Sequence, residues 1–278
     1  MKWRIVTDSS CDAMPDVQWP AGVSYGKVPF VFHIGDAEMT DNEHLDIPAM
    51  LTAMEQCPNA SRSACPAPGI WEEQFEQADQ VIALTISANL SGSYESAIAA
   101  REMTLEKHPE KKICILNSLS TGPVLNMTVE KALALIRKGF DFDNVSAALT
   151  DYIRSLHTIF ALCSFNNLVK NGRVSRLAGL IAGKLGIWGI GAGDSEGRIV
   201  MVSKVRGSRK IIQTIVDNMK QNHFAGGPVT ISHCLNLEFA SQLKEGITQI
   251  WRNAQVYLRE TGGLCSFYAE RHGLIVAY

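Results

Sequence analysis

Short apolar runs rich in β-branched residues alternate along this chain with longer stretches whose apolar positions return every three or four residues. These are the two periods of strands and helices. Residues 3–6 read as a first strand, closed by the polar turn-forming cluster Thr7-Asp8-Ser9-Ser10. Residues 27–34 read as a second strand. Residues 48–56 read as a short helix, with Asp46 as its N-cap and Pro48 in its first turn. Residues 60–69, with two prolines, read as a surface loop, and 70–77 as a helix. A strongly apolar strand over 81–86 leads through a polar turn, 87–93, into a helix that runs to about residue 107. A strand over 112–116 and helices over 123–138 and 143–156 follow. Leu125, Val129, Ala132, Leu133 and Ile136 give the first of those helices one apolar face. This βαβα order predicts an α/β fold with a largely parallel, Rossmann-like sheet.

The regularity breaks near residue 156. Beyond it come a strand over 158–162 and a stretch dense in glycine, from Gly172 to Gly197. Residues 198–204 alternate apolar and polar, as a half-exposed strand does. Further strands are expected over 228–233, 255–258 and 273–278, with helices over 208–220 and 237–250 between them. The expectation is two α/β domains, an N-terminal one over 1–156 and a mixed C-terminal one over 157–278.

Composition narrows the function. The 278 residues are 46% hydrophobic and 19% charged, enough apolar material for a core and an internal cavity. The net charge of −2, from 26 basic and 28 acidic residues, gives none of the basic excess expected of a nucleic-acid binder or a polybasic membrane anchor. The N-terminus lacks the apolar run of a signal peptide. No apolar stretch reaches the ~18 residues of a membrane span. A cytoplasmic location is expected. Seven cysteines, an odd number with no Cys-x-x-Cys, match neither a disulfide framework nor a zinc site and read as buried, inert thiols.

Several motifs carry less chemistry than their spelling implies. Gly22-Val23-Ser24-Tyr25-Gly26 fits the spacing of a hydrolase nucleophile elbow, but the strand follows the serine instead of preceding it. Residues 179–184 miss the phosphate-loop spacing at Ala178 and Leu185. Gly189-Ile190-Gly191-Ala192-Gly193 is not a dinucleotide fingerprint and reads as a tight turn or close packing. The histidines form no metal-ligand pair, and His233 reads as a satisfied residue at the core edge. No cofactor and no metal are expected. Two places remain. Ser91-Gly92-Ser93 lies between a buried strand and a helix start, where free backbone N–H groups and hydroxyls serve either as a cap or as an anion site. Asn171-Gly172-Arg173-Val174-Ser175 presents an arginine that either pairs a carboxylate or phosphate or makes a surface ion pair.

At these residues the sequence resembles the DegV family of bacterial fatty-acid-binding proteins. Residues Ile5-Val6-Thr7-Asp8-Ser9-Ser10 resemble the family's opening. Ser63-Ala64-Cys65-Pro66-Ala67-Pro68-Gly69 is similar to its Thr-Ser-Gln-Pro-x-Pro-Gly loop. The run from Ile86 to Ala97, with Leu90-Ser91-Gly92-Ser93-Tyr94 at its centre, is similar to its Leu-Ser-Gly-Thr-Tyr segment. Leu168 to Ser175 matches Leu-x-x-Gly-Gly-Arg-Ile-Ser, and Val205 to Lys210 resembles Val-Arg-Thr-x-x-Lys.

The resemblance implies two α/β domains with a long-chain fatty acid in an apolar tunnel between them. It implies that Ser63 and Ser91 hydrogen-bond the fatty-acid carboxylate, and that Arg173 contacts the head group or a partner. It also implies a partner, a separate fatty-acid kinase subunit that phosphorylates the presented carboxylate. The sequence departs from the family at the head-group end. Tyr268 stands where the family carries a histidine, Ser63 replaces threonine, Cys65 glutamine and Asn117 aspartate, and Trp188-Gly189 replaces Lys-Pro. A phenol still donates a hydrogen bond. A carrier that is not itself an enzyme is the leading expectation. The alternatives are an enzyme acting on acyl or phosphoryl groups in the same cleft, and a regulatory module with a structural lipid.

Overall fold

The computed structural model describes residues 2–14, 17–174 and 186–278. The near-miss phosphate loop at 179–184 and Ser175 lie outside the described residues. The first strand, β1 (Trp3–Asp8), is buried from Arg4 onward. It pairs in parallel with β2 (Val23–Val28) on one side. The expected strand over 27–34 is in fact two strands. Pro29 has no N–H to give to a ladder, and the Phe30 amide turns away to the Ser9 hydroxyl at 2.9 Å. The chain therefore leaves the parallel sheet and starts β3 (Val31–Ile34) in a second, small sheet.

That small antiparallel sheet is completed by β4 (Ala37–Thr40) and by β5 (Arg62–Ala64). Neither was expected, and β5 lies inside what reads as a loop. Three-residue strands are too short for an alternation to be visible. Between them, α1 (Ile47–Gln56) begins at Asp46, whose carboxylate accepts the Ala49 N–H, as expected of an N-cap. The helix α2 (Pro68–Phe75) starts two residues earlier than its apolar pattern indicates, with proline at its first position.

The parallel sheet then grows by β6 (Gln80–Thr85), buried throughout, and β7 (Lys112–Asn117), in the order β2-β1-β6-β7. Its strands read as continuous apolar runs because helices cover both faces. On one face lie α2 and α3 (Ser93–Lys107), where Trp71, Phe75, Ala97 and Ala100 meet Val6, Val81 and Ala83. On the other lie α4 (Pro123–Arg137) and α5 (Phe142–Ser155), whose Leu125, Val129, Val145 and Leu149 meet Ile5, Ile82 and Leu84.

From residue 158 on, the strands form a separate mixed sheet. It comprises β8 (Thr158–Leu162), β9 (Ile187–Gly193), β10 (Ile199–Arg206), β11 (Gly227–His233), β12 (Ala254–Glu260) and β13 (Leu274–Ala277), in the order β10-β9-β8-β13-β11-β12. The Gly189–Gly193 run, expected to be a tight turn or a place of close packing, is strand β9, hydrogen-bonded on both sides, and the close packing is there, with the Phe160 ring against Gly191. The short helices α6 (Asn166–Lys170) and α9 (Gly263–Ala269) were also unexpected, whereas α7 (Ser208–Gln221) and α8 (Leu237–Ile250) lie where the periodicity puts them.

This sheet is covered asymmetrically. Ile159 and Ala161 of β8, Ile190 of β9 and Leu274 and Val276 of β13 face Ile211, Ile215, Leu243 and Ile247 of α7 and α8. The alternate positions, Phe160, Leu162 and Ile275, point to the other face and meet Phe165, Leu168 and Ala269 of shorter elements. The helix α9 reaches the small sheet, where Phe267 stacks on Phe32 with ring centroids 5.0 Å apart. Among the described residues no helix is long and apolar enough to cross a membrane.

The tip of the β9–β10 hairpin docks on the loop after β6. Ser87 Oγ donates to the Gly197 carbonyl at 2.8 Å, and Asn89 Nδ2 donates to the Glu196 carbonyl at 2.7 Å. Gly197 has φ of +76°, and a Cβ there would stand 2.4 Å from Ser87 Oγ and 2.7 Å from the Leu119 carbonyl oxygen. Backbone cannot yield as a side-chain tip can, and left-handed backbone is itself costly for L-residues. Gly197→Ala is expected to lower unfolding stability by roughly 1–3 kcal/mol, read as a lower urea midpoint with an unchanged slope.

Candidate functional site

The second face of the mixed sheet is left incompletely filled. In front of Phe160, Leu162 and Ile275 lies a cavity of about 370 Å³, within the roughly 300–1,000 Å³ of small-molecule sites. Its walls come from both parts of the chain. Phe30, Ile86, Leu90 and Leu119 approach from the parallel-sheet side, and Leu264 and Ala269 of α9 close it together with the β9–β10 hairpin. The lining is mostly apolar, with polar groups gathered at particular points.

All four residues singled out from the sequence, Ser63, Ser91, Arg173 and Tyr268, line this one cavity. They come from four separate elements. Ser63 is the middle residue of β5, paired with Phe32, and Tyr268 is on α9. Their side-chain oxygens are 2.8 Å apart, across 205 positions of sequence. Ser91 precedes the glycine that caps α3, and its Oγ accepts the Ser93 N–H at 3.2 Å. The serine thus serves the helix start through its oxygen, while its own proton stays available to a ligand. The Arg173 guanidinium is braced on backbone, with Nε 3.0 Å from the Leu90 carbonyl oxygen and Nη1 on that of Asn171. The bond to Leu90 holds it beside Ser91. Three hydroxyl groups and one guanidinium therefore line the same cavity, a donor set suited to an anionic oxygen group.

Other lining groups escaped the sequence reading. Ser120 Oγ and Thr158 Oγ1 are 2.6 Å apart across the junction of the two sheets, and Arg198 lines the cavity beside Gly197. Nothing in local spacing marks them. Cys65 departs from the expected buried thiols, being exposed, although Cys11, Cys234 and Cys265 are buried as expected; all seven cysteines are free. Ser24 of the Gly-x-Ser-x-Gly run is an exposed position inside β2, bonded to Arg4, so it forms no elbow. His233 is buried with Nδ1 accepting the Asn236 N–H, and burial lowers its pKa.

Three buried aspartates hold these elements in place. Asp8, at the end of β1, accepts four hydrogen bonds, from the Ser10 N–H and hydroxyl, the Ile86 N–H and the Ser93 hydroxyl. It ties the end of β6 to the start of α3 and so fixes the segment that carries Ser91. Asp12 accepts the Gly262 N–H at 2.7 Å, and Asp41 the Leu264 N–H at 2.8 Å. These two carboxylates grip the first turn of α9, the helix that carries Tyr268, from residues more than two hundred positions earlier. Burial raises the pKa of all three, and donated hydrogen bonds oppose it.

The model of the family described as "Uncharacterised protein, DegV family" matches residues 2–277. The chain belongs to the DegV family. It is 36% identical to a DegV domain-containing protein of Streptococcus pyogenes serotype M1 over 278 residues, covering 100% of this chain and 99% of the relative. The structure of the Streptococcus pneumoniae Fatty Acid Kinase (Fak) B3 protein, loaded with linoleic acid, matches with a TM-score of 0.96 at 36% identity. That match covers 100% of this chain and 99% of that one. A DegV family protein from Eubacterium eligens, loaded with heptadecanoic acid, matches with a TM-score of 0.94 at 34% identity, covering 99% and 98%. The parallel and mixed sheets of this DegV chain are thus a known pairing, and its cavity lies between them.

The Asp41 carboxyl is pushed up to about 6 by burial, against about 3.9 for a free aspartate. The native state therefore binds a proton more tightly than the unfolded chain does. Its stabilising contribution is full below about pH 4 and is lost as pH rises through about 6. Two pH units at about 1.4 kcal/mol each correspond to roughly 3 kcal/mol. Urea unfolding between pH 4 and 7 is expected to show this loss in the native chain. Asp41→Asn, which keeps an acceptor for the Leu264 N–H, should flatten that part of the profile and raise stability at pH 7.

Proposed function

We propose that this chain binds one long-chain fatty acid in the cavity between its two sheets, with the carboxylate at the Ser63–Ser91–Tyr268 cluster beside Arg173. The observation that carries the reading is that these donors, from four separate elements, line one mostly apolar cavity, with Ser63 and Tyr268 in hydrogen-bond contact and Arg173 braced on the residue before Ser91. The two sheets are taken as two domains, 1–156 and 157–278, with the ligand at their junction. In this reading the protein is a cytoplasmic carrier that presents the carboxylate to a separate fatty-acid kinase.

The energetics support a lipid. An acyl chain of about 14 methylenes offers on the order of 11 kcal/mol of burial at ~0.8 kcal/mol each, from which the cost of ordering the chain is subtracted. A buried carboxylate without donors would cancel that gain. Here it meets hydroxyls and a guanidinium. Similarity to proteins described as loaded with linoleic and heptadecanoic acids supports the same class of ligand. Likeness to a fatty-acid kinase B protein supports the kinase partner. A carrier role is supported by how the serines are engaged. Ser63 pairs with a phenol and Ser91 with a backbone amide, whereas a serine nucleophile calls for an adjacent base.

Protein purified gently from bacteria is expected to release a C14–C18 carboxylic acid, identified by mass spectrometry. The absence of any lipid, together with no uptake of added palmitate or oleate, would remove the reading. Ser91→Ala deletes a hydrogen bond to a charged group, so affinity should fall roughly 10- to 100-fold, with the far-ultraviolet dichroism retained. Unchanged affinity would mean that Ser91 only caps α3.

A further inference from the structure

Beyond Ile187, the face of β9 that looks toward the cavity carries no side chain. Gly189, Gly191 and Gly193 alternate along the strand, and Gly189 and Gly191 pair with Leu162 and Phe160 of β8. Gly191 is not one of the glycines at positive φ, so the backbone would accept any residue there. What excludes a side chain is Phe160. A Cβ on Gly191 would stand 2.3 Å from Phe160 Cζ and 2.5 Å from Cε2. Those atoms are the far end of the ring. The ring therefore lies folded down across the glycine instead of standing off the sheet, and in that position it lines the cavity. Its nearest aromatic neighbour is Phe165, 6.1 Å away between centroids.

We infer that the Phe160–Gly191 pair sets the bore of the acyl cavity and is its specificity determinant. The inference rests on the proposed fatty-acid reading and deepens it. With the ring down, the space in front of β8 stays open, and a ring pushed into it would obstruct a bent chain, as cis-unsaturated acids have, more than a straight one. A methyl group at position 191 would displace the ring while β8 stays in register with β13 and β9, and the open space beside the ring is the cavity that it lines. Interiors are close-packed, so displacement of a ring is felt by whatever occupies the adjoining space.

The test measures the affinities of palmitate and oleate for the full chain and its variants. Gly191→Ala should weaken oleate by about tenfold or more and palmitate by less. Adding Phe160→Ala to that variant should restore oleate binding, because the group that was pushed into the slot is gone. Phe160→Ala alone, which leaves β9 untouched, should shift the oleate-to-palmitate preference toward oleate by about threefold or more. An unchanged preference in this variant overturns the inference, even where Gly191→Ala fails to fold. So does a folded Gly191→Ala protein that binds both acids as the native one does, or a loss that Phe160→Ala does not reverse. If the native chain takes up neither acid, the fatty-acid reading itself fails, which is a different result from native binding with insensitive variants.

Discussion

An apolar sheet face must be covered, and in this chain one such face is covered by elements that do not fill the space in front of it. Phe160, Leu162 and Ile275 project from the mixed sheet on the side opposite α7 and α8. Of the helices of the parallel sheet, α4 also reaches this face, where its Val124 and Met127 meet Ala277 of β13, while α2 and α3 pack on the parallel sheet. Around the space in front of Phe160, Leu162 and Ile275 stand a short helix, a hairpin tip and the loops at the carboxyl ends of β6 and β7. These elements touch at their rims and leave a slot behind. In open α/β sheets the loops at the strand carboxyl ends are the usual place for ligands. The slot uses them as one wall and the second sheet as the other.

Such a junction is stable only if its rims are fastened, and here the fasteners are buried carboxylates. Transfer of a charge out of water is costly unless hydrogen bonds meet it. Asp8 meets it with four donors. Asp12 and Asp41 spend theirs on the open backbone amides of the first turn of α9, which no intrahelical acceptor can satisfy. A neutral side chain would accept the same bonds at less cost in burial. The ionised form adds attraction to the partial positive charge of those amides. The consequence is that the segments carrying Ser91 and Tyr268, on separate elements, are held by carboxylates that do not line the cavity, while Arg173 is held by backbone carbonyls.

Much of this was legible in the residues and some was not, for physical reasons. The parallel sheet was readable because β1, β6 and β7 are buried runs, with amphipathic helices such as α4 between them. The four residues picked out by ordered motifs, Ser63, Ser91, Arg173 and Tyr268, all line one cavity, and their part in binding is the proposal. The small sheet was not readable: β4 and β5 are four and three residues long, too short for periodicity, and are held by pairing with β3. The helix α9 was missed because its cap lies in Asp12 and Asp41, far away in sequence, and not in a local Ser or Asp. The glycine run at 189–193 carried two signals, of which the close packing was read and the strand was not. Glycine at every second position is the period of a strand with one bare face, whereas a turn needs no such alternation.

The geometry also divides the tasks of recognition. Apolar burial grows with each methylene but is blind to the chemistry at the end of the chain, so it supplies affinity without identity. The donors at the mouth contribute less to affinity, because each replaces a hydrogen bond already made to water. In the proposed reading their weight lies in rejection: an alcohol or an ester of the same length would leave the guanidinium beside Leu90 without an anionic partner. Placement matters as much as type. Arg173 and Ser91 sit where the segment after α6 meets the loop before α3, and both are only partly buried. A carboxylate held there keeps an approach from solvent while its tail does not. That is the arrangement a carrier requires if a second protein is to act on the head group without extracting the chain.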